Sequence, residues 1–232
     1  MVVILLIVTV IILVAMDLLI RWRLSRRPRP VAEITTAVTD FLLPELKEEH
    51  FVLPAGLFFH RGHTWVNLLY SGQVKVGVDD FFQRVIGRLD GIALPTVGTE
   101  LKEGQPFAAI RQDGRTTSLM APMDGVVCAV NGDLTRAPQL LKRDPYTRGW
   151  LVAVRPADLG QSLPRLLIGT TAEAWLRGEV MKLQKFLVGI LTAQGDRLVG
   201  ATAADGGLHV DGLLERLDDE AWKQFQREFV GA

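Results

Sequence analysis

In the middle of the chain, hydrophobic and polar residues alternate with a period of two, which is the spacing of β-strands. Residues 64–69 and 73–78 form one such pair of segments, and the Ser-Gly dipeptide between them favours a turn. Further segments of the same kind cover residues 126–130 and 150–154. The pattern therefore predicts a sheet-rich domain in the centre of the chain.

A long hairpin is predicted within this central part. Its outgoing strand includes Phe107 and Ile110, its polar tip covers residues 111–117, and the chain returns through residues 119–122. The tip contains an Asp-Gly dipeptide at residues 113–114. That dipeptide favours a tight reversal, because glycine adopts a positive φ without steric cost.

Two segments before this hairpin have the spacing of apolar residues that is typical of helices. The first covers residues 32–43 and ends before Pro44, which cannot continue a helix. The second covers residues 80–88, where Asp79 is placed to cap the first turn. The apolar segment 51–59 is predicted as a linker against the sheet, with a first strand as the alternative.

The last third of the chain changes to longer helical patterns. Thr170 and Glu173 have the spacing of a capping box, and the helix that follows is predicted over residues 172–189. Short strands with two glycine turns are predicted over residues 190–210, and Asp211 is placed to cap a last helix. These elements predict a C-terminal helix-hairpin-helix appendage.

The N-terminal segment, residues 2–20, is apolar apart from Thr9 and Asp17 and is long enough to cross a hydrocarbon layer of ~30 Å. Basic residues follow this segment, whereas a signal peptide would have them in front of it. By the positive-inside rule, the sequence predicts a single-pass anchor in the inner (cytoplasmic) membrane, with the rest of the chain in the cytoplasm. The residues predicted to fix the anchor at the membrane surface are Arg21, Trp22, Arg23, Arg26 and Arg27.

Charge and cysteine content narrow the choice of partner. The chain has 26 basic and 26 acidic residues, and five of the arginines lie in the collar that follows the apolar segment. The remainder is mildly acidic, which argues against binding to nucleic acid. The one cysteine, Cys128, excludes an intramolecular disulfide and is predicted to be a buried, inert thiol in the strand 126–130.

Few residues have the spacing of a catalytic or metal site. His60 and His63 are three residues apart, but the Arg-Gly pair between them indicates a loop, and no cysteine lies near. No phosphate-binding loop, dinucleotide-binding motif or GxSxG motif is present in the sequence. The sequence therefore predicts no catalytic residue, no metal and no cofactor, and the protein is not expected to be an enzyme.

Several ordered motifs together resemble the H protein of the glycine cleavage system, over about residues 58–156. They are VGTELKEGQPFAAI with LMAPMDGVVCAVN, HTWVNLLYSGQVKVGVDDF, and DPYTRGWLVAVRP. The resemblance implies a lipoyl-type flattened β-barrel sandwich whose hairpin tip carries a lysine acylated by lipoate. Aligned from Pro122, that position falls on Gly114, and no lysine lies between Lys102 and Lys142.

The predicted fold class is α+β, with four successive parts. Residues 1–20 are predicted as a transmembrane helix, and residues 21–57 as a basic collar, a short helix and a linker. Residues 58–160 are predicted as the H-protein-like β-barrel domain, and residues 161–232 as the helical appendage.

Three functions are compatible with these features. The main hypothesis is a non-enzymatic, membrane-anchored accessory subunit that stabilises a larger inner-membrane complex of respiratory or photosynthetic type. Its partners would be the integral membrane complex and, through residues 2–20, the lipid bilayer. The resemblance alone implies a lipoyl carrier of glycine-cleavage type. The third hypothesis is a regulatory module whose hairpin tip binds an anion or an acidic partner. The candidate docking residues are Arg111, Arg115, Trp175 and Trp222.

Overall fold

The structure of this chain is a computed structural model that describes residue 16, residues 50–194 and residues 211–231. The predicted membrane anchor, apart from Met16, lies outside the described residues, as do the basic collar and the helix predicted over residues 32–43. Among the residues that the structure does describe, no helix has both the length and the apolar character needed to cross a bilayer. Residues 50–194 and 211–231 belong to one compact unit.

The described residues contain two antiparallel sheets. Their strands are β1 (Phe58–His60), β2 (Thr64–Leu68), β3 (Val74–Val78), β4 (Gly91–Ala93), β5 (Glu100–Leu101), β6 (Pro106–Gln112), β7 (Arg115–Met120), β8 (Gly125–Val130) and β9 (Trp150–Pro156). The larger sheet has the order β1-β2-β3-β9-β8-β5, and the smaller has the order β4-β6-β7. The strands predicted from alternation correspond to β2, β3, β8 and β9, so the period-two pattern located them correctly.

Helices follow or connect the strands. They are α1 (Asp80–Ile86), α2 (Asp133–Arg136), α3 (Leu140–Arg143), α4 (Leu159–Ser162), α5 (Thr170–Gln194) and α6 (Asp219–Phe225). Two 3₁₀ turns cover Leu163–Arg165 and Leu213–Arg216, and a π-helical turn covers Gln226–Val230. The predicted cap of α1 is confirmed, because the Asp79 carboxylate accepts a hydrogen bond from the backbone N–H of Phe82 at 2.8 Å.

The C-terminal helices differ from the prediction at three points. Helix α5 continues to Gln194, through residues where a strand was expected. The hydroxyl that bonds at the start of α5 belongs to Thr171, which donates to the Ile168 carbonyl at 2.7 Å. The cap of α6 is Asp218, which accepts from the Ala221 N–H at 2.9 Å, and not Asp211. Sequence spacing found the helices and misplaced their ends, because several Thr and Asp residues nearby have the same capping chemistry.

The core includes the central strands of the larger sheet, where the three valines of β3 and four consecutive residues of β9, Leu151 to Val154, are buried. Trp65 on β2 is also fully buried and lies against Gly77 on β3, with which it is paired in the sheet. A Cβ atom at Gly77 would come within 2.4 Å of the Trp65 ring. The glycine is therefore required because the indole fills the space that a side chain would need.

An aromatic cluster attaches residues 211–231, here called the C-terminal segment, to the rest of the unit. Phe225 lies 6.2 Å from Phe82 of α1, and Phe229 lies 6.2 Å from Phe81, measured between ring centroids. Phe186 of α5 contacts both rings of the segment at about the same separation. Helices α1 and α5 and the C-terminal segment therefore share one apolar cluster.

The close approach of Trp65 to β3 gives a test of the fold. Replacement of Gly77 by alanine is expected to lower the free energy of unfolding by about 1–3 kcal/mol, because the added methyl group overlaps the indole. The matched control is Gly178→Ala in the middle of α5, where an added Cβ has no atom within 4 Å. That change is expected to raise stability by up to about 1 kcal/mol through helix propensity. Urea unfolding of both variants checks the result, and equal effects would contradict the packing argument.

Candidate functional site

The hairpin formed by β6 and β7 ends in a tight turn. Gln112 pairs with Arg115, and the two residues between them both have a positive φ, +48° at Asp113 and +76° at Gly114. Positive φ at both central positions is the signature of a type I′ turn, which matches the twist of paired strands. The predicted tight reversal is confirmed, and Gly114 lies at its tip.

The tip has no group that could hold a lipoyl chain through an amide bond. The hairpin, residues 106–120, contains no lysine, and its basic residues are Arg111 and Arg115. An arginine guanidinium stays protonated near neutral pH and does not replace an acylatable amine. The nearest preceding lysine, Lys102, follows β5, and its ammonium group lies 3.5 Å from the Asp124 carboxylate. The residues at the tip therefore do not fit the prosthetic group that the resemblance implies.

The loop between α1 and β4 holds the hairpin tip from one side. The Gln112 side-chain amide donates to the backbone carbonyls of Ile86 and Arg88. The backbone N–H of Asp113 donates to the Asp90 carboxylate at 2.6 Å, and the Asp113 carboxylate accepts from the Arg88 guanidinium at 3.1 Å. Side chain and backbone of the turn are thus both bonded to a neighbouring loop.

The C-terminal segment holds the other side of the hairpin. The Arg115 guanidinium donates to the Asp219 carboxylate at 2.8 Å and lies 5.3 Å from the centre of the Trp222 ring. The Gln226 side-chain amide donates to the Thr116 carbonyl at 2.7 Å. Two of the predicted docking residues, Arg115 and Trp222, therefore contact each other within the chain.

The other two predicted docking residues lie elsewhere. Arg111 is exposed on β6, directly across from Gly91 of the edge strand β4. Trp175 is buried on α5, and its ring centre lies 5.1 Å from that of His63. The structure therefore does not bring the four residues together on one surface.

His63 is the centre of a buried charged cluster, whereas the sequence analysis considered this residue only together with His60, as an improbable metal pair in a loop. Its ring is fully buried, stacks on Phe81 at 4.8 Å between centroids, and places Nδ1 2.9 Å from the Asp79 carboxylate. Its Nε2 lies 3.7 Å from the Glu179 carboxylate of α5. The signal available in the sequence was the unusual combination of His63 directly before a strand and Asp79 directly after the next one.

The electrostatic environment favours the protonated form of His63. Burial by itself lowers the pKa of His63, but the carboxylates of Asp79 and Glu179 outweigh it and raise the pKa from 6.5 to about 9. The protonated ring can donate from both nitrogens, toward the cap of α1 on one side and toward α5 on the other. The cluster is therefore an ionic connection between the sheet and two helices. Among the described residues, no group of three or more His, Cys, Asp or Glu side chains could hold a metal.

The raised pKa of His63 predicts that stability depends on pH. Because the folded-state pKa lies above the unfolded value of 6.5, this group stabilises the fold fully below pH 6.5 and loses that contribution as the pH rises through about 9. A difference of this size corresponds to about 3 kcal/mol of stability. Urea unfolding measured between pH 6 and pH 10 is expected to show that decline.

The variant His63→Asn isolates this contribution. Asparagine tolerates the φ of +59° at this position and can still donate to Asp79, but it carries no charge. We expect the variant to have a lower free energy of unfolding than the native chain at pH 6. The difference between the two should become smaller above pH 9. A difference in unfolding free energy that stays constant over this pH range would show that His63 contributes through packing alone.

Comparison with known proteins identifies the family. The sequence profile described as Glycine cleavage H-protein matches residues 57–179, which is more than half of the chain. The glycine cleavage system H protein of Mycobacterium leprae (strain Br4923) is 38% identical over 108 residues, covering 47% of this chain and 82% of the relative. That of Oceanobacillus iheyensis is 31% identical over 125 residues, covering 54% of this chain and 98% of the relative.

A solved structure has also been matched. The crystal structure of a glycine cleavage system H protein from Mycobacterium marinum covers 54% of this chain and 99% of its own, at 24% sequence identity and a TM-score of 0.48.

These comparisons correct one prediction and confirm another. The predicted location in the inner membrane is wrong, since the relatives are glycine cleavage system H proteins and the described residues contain no membrane-spanning helix. That prediction relied on the apolar residues 2–20, which have no counterpart in the matched region. The resemblance of the central motifs to H proteins is confirmed, and with it a sheet-rich domain of lipoyl type. The chain belongs to the glycine cleavage H-protein family.

Proposed function

We propose that this chain is a non-enzymatic member of the H-protein family that works by binding other proteins and does not carry a lipoyl group. The observation that carries the proposal is Gly114, which stands at the tip of the hairpin where the carrier lysine of the family would be. Its φ of +76° suits glycine, and a side chain there would be strained. The turn is therefore built for reversal of the chain and not for attachment of a group.

The contacts around the tip support the same proposal. A lipoyl group works as an arm that moves between sites, which requires a tip free of other contacts. Here one loop bonds to Gln112 and Asp113, and the C-terminal segment bonds to Arg115 and Thr116. We infer that the hairpin has a structural role, as the part of the sheet to which the C-terminal segment is fixed.

The proposal retains the accessory role from the main hypothesis of the sequence analysis. Residues 180–232 extend beyond the region matched by the family, and their described part packs on the hairpin and on α1. An added segment fixed to a domain without carrier chemistry is suited to docking in a larger protein complex. The proposal does not include the membrane setting.

The second candidate is the carrier function, which family membership favours. It needs an amine that a lipoate-attaching enzyme can reach. The exposed turn at Gly114 offers none, and Lys102, the nearest preceding lysine, lies outside the hairpin and beside Asp124. The anion-binding hypothesis is also weaker, because Arg115 already has Asp219 as its partner and is largely covered.

Lipoylation gives the decisive measurement. We expect the full chain, expressed with ample lipoate and a lipoate-attaching enzyme, to keep its unmodified intact mass. A lipoylated H protein of the family, treated in parallel, controls for the enzyme. A mass increase of one lipoyl group on the native chain would overturn the proposal in favour of the carrier.

The variant Gly114→Lys tests whether the native chain stays unmodified because its hairpin tip has no side-chain amine. No atom lies within 4 Å of a Cβ built at Gly114, so the side chain can extend into solvent at a backbone cost of about 1–2 kcal/mol. We expect this variant to gain the lipoyl mass to some degree, and the control Gly98→Lys, at another exposed positive-φ turn, to remain unmodified. Modification of both variants would indicate that the enzyme does not recognise the hairpin.

The accessory role predicts a stable partner. When the full chain is isolated from its own cells under gentle conditions, light scattering is expected to give a mass well above that of the 25.7 kDa chain. A partner at fixed stoichiometry should be present in the same peak, because a stable accessory subunit dissociates slowly from its complex. A peak that contains only the monomer would contradict this role.

A further inference from the structure

The C-terminal segment covers one flank of the hairpin with two polar side chains. These are Asp219 and Gln226, here called the latch, and both bond to β7 directly beside its turn. Their spacing of seven residues places them two helical turns apart on one face of α6 and its continuation. The segment lies beyond the region that the family profile matches. The cover is therefore an addition to the domain that the family shares.

The latch lies along the free edge of β7. This strand pairs with β6 on one side and ends the smaller sheet on the other. At that free edge the Gln226 side-chain amide donates to the Thr116 backbone carbonyl at 2.7 Å and lies 3.2 Å from the Thr117 hydroxyl. A side chain thus occupies a backbone group that an unpaired edge strand would offer to another protein.

The latch is held more weakly than the aromatic rings next to it. The Asp219 side chain is 78% exposed, and an ion pair with this exposure contributes little to stability and is screened by salt. Phe225 and Phe229, in contrast, are 1% and 3% exposed within the aromatic cluster. Local opening draws on the weakest contacts first. The latch can therefore open while the two aromatic rings keep the segment in place.

A buried donor beside the latch also favours opening. Trp222 lies between the two latch residues along the chain and is 3% exposed. Its indole N–H has no hydrogen-bond partner among the described residues. A buried donor without an acceptor is unfavourable, and water that enters when the latch opens supplies the missing acceptor.

We infer that the latch regulates the access of other proteins to the hairpin. In the closed state Asp219 occupies the Arg115 guanidinium and Gln226 occupies the Thr116 carbonyl, so a protein that binds this flank has to displace both. In the open state these groups and the edge of β7 become available, and the aromatic rings hold the segment ready for closure. The inference goes beyond the proposed function, because it concerns access to the hairpin whether or not the native tip carries a group.

Modification of arginine by phenylglyoxal measures the opening of the latch in the full chain. Arg111 and Arg115 both belong to the hairpin, but Arg111 is exposed and its side chain is bonded to neither latch residue. We expect Arg111 to react readily and Arg115 slowly. Gln226→Ala should raise the Arg115 rate at least about threefold, because it removes the bonds at one end of the latch and leaves the ion pair intact. The matched control is Gln224→Ala, whose native side chain bonds to Glu228 and not to the hairpin, and it should leave the rate unchanged.

Lipoylation of Gly114→Lys measures the access of a protein to the tip. We expect the initial rate of lipoyl mass gain to rise at least about threefold when Gln226→Ala is added to Gly114→Lys, and to stay unchanged when Gln224→Ala is added. Asp219→Asn opens the other end of the latch and should raise the same rate. Thermal unfolding of each variant verifies that the fold is retained.

Two results would overturn the inference. One is an Arg115 modification rate that is the same in the native chain and in Gln226→Ala. The other is a lipoylation rate that neither Gln226→Ala nor Asp219→Asn raises, including the case in which no chain is modified. Failure of the proposed function is a separate result, since it would appear as a lipoyl mass on the native chain.

Discussion

The buried pair of His63 and Asp79 is the interaction on which the arrangement of this unit depends. Asp79 serves two partners, since one carboxylate oxygen caps α1 and the other binds the His63 ring. On its far side the ring lies near Glu179 of α5. If one member of such a buried pair is lost, the other is left without compensation in a low-dielectric interior, which is strongly destabilising. The positions of α1 and α5 are therefore fixed together.

The C-terminal segment depends on these two helices in turn. Its aromatic side chains pack on Phe81 and Phe82 of α1 and on Phe186 of α5, so the segment has a binding surface only where the two helices meet. From that position its polar residues reach the hairpin, through Asp219 and Gln226. A chain of contacts thus connects the buried pair to the tip of the hairpin, and the tip is held by packing that begins in the core.

Family membership and loss of the attachment lysine are physically compatible. The sheets require alternating apolar residues, a glycine beside Trp65 and a turn with two positive φ values, and the chain meets all three requirements. Position 114 supplies one of the two positive φ values, so a residue other than glycine there costs about 1–2 kcal/mol. A change of residue at this exposed turn therefore leaves the strands and the core unaltered, so the fold of the family does not itself require a lysine at the tip.

Local sequence determined much of this protein: the strands and their turn, the helix cap at Asp79, and the lack of an amine between Lys102 and Lys142. These features depend on neighbours along the chain, so period, turn chemistry and residue identity suffice to find them. Two sequence-based predictions were wrong. The apolar N-terminal segment was used to infer a membrane location, and the ends of α5 and α6 were assigned to the wrong one of several residues with the same capping chemistry. Only the tertiary structure placed Arg115 on Asp219, gave His63 its second carboxylate and brought Gln226 to Thr116. Those contacts join residues far apart in the chain, and their strength comes from burial, which the order of residues does not reveal.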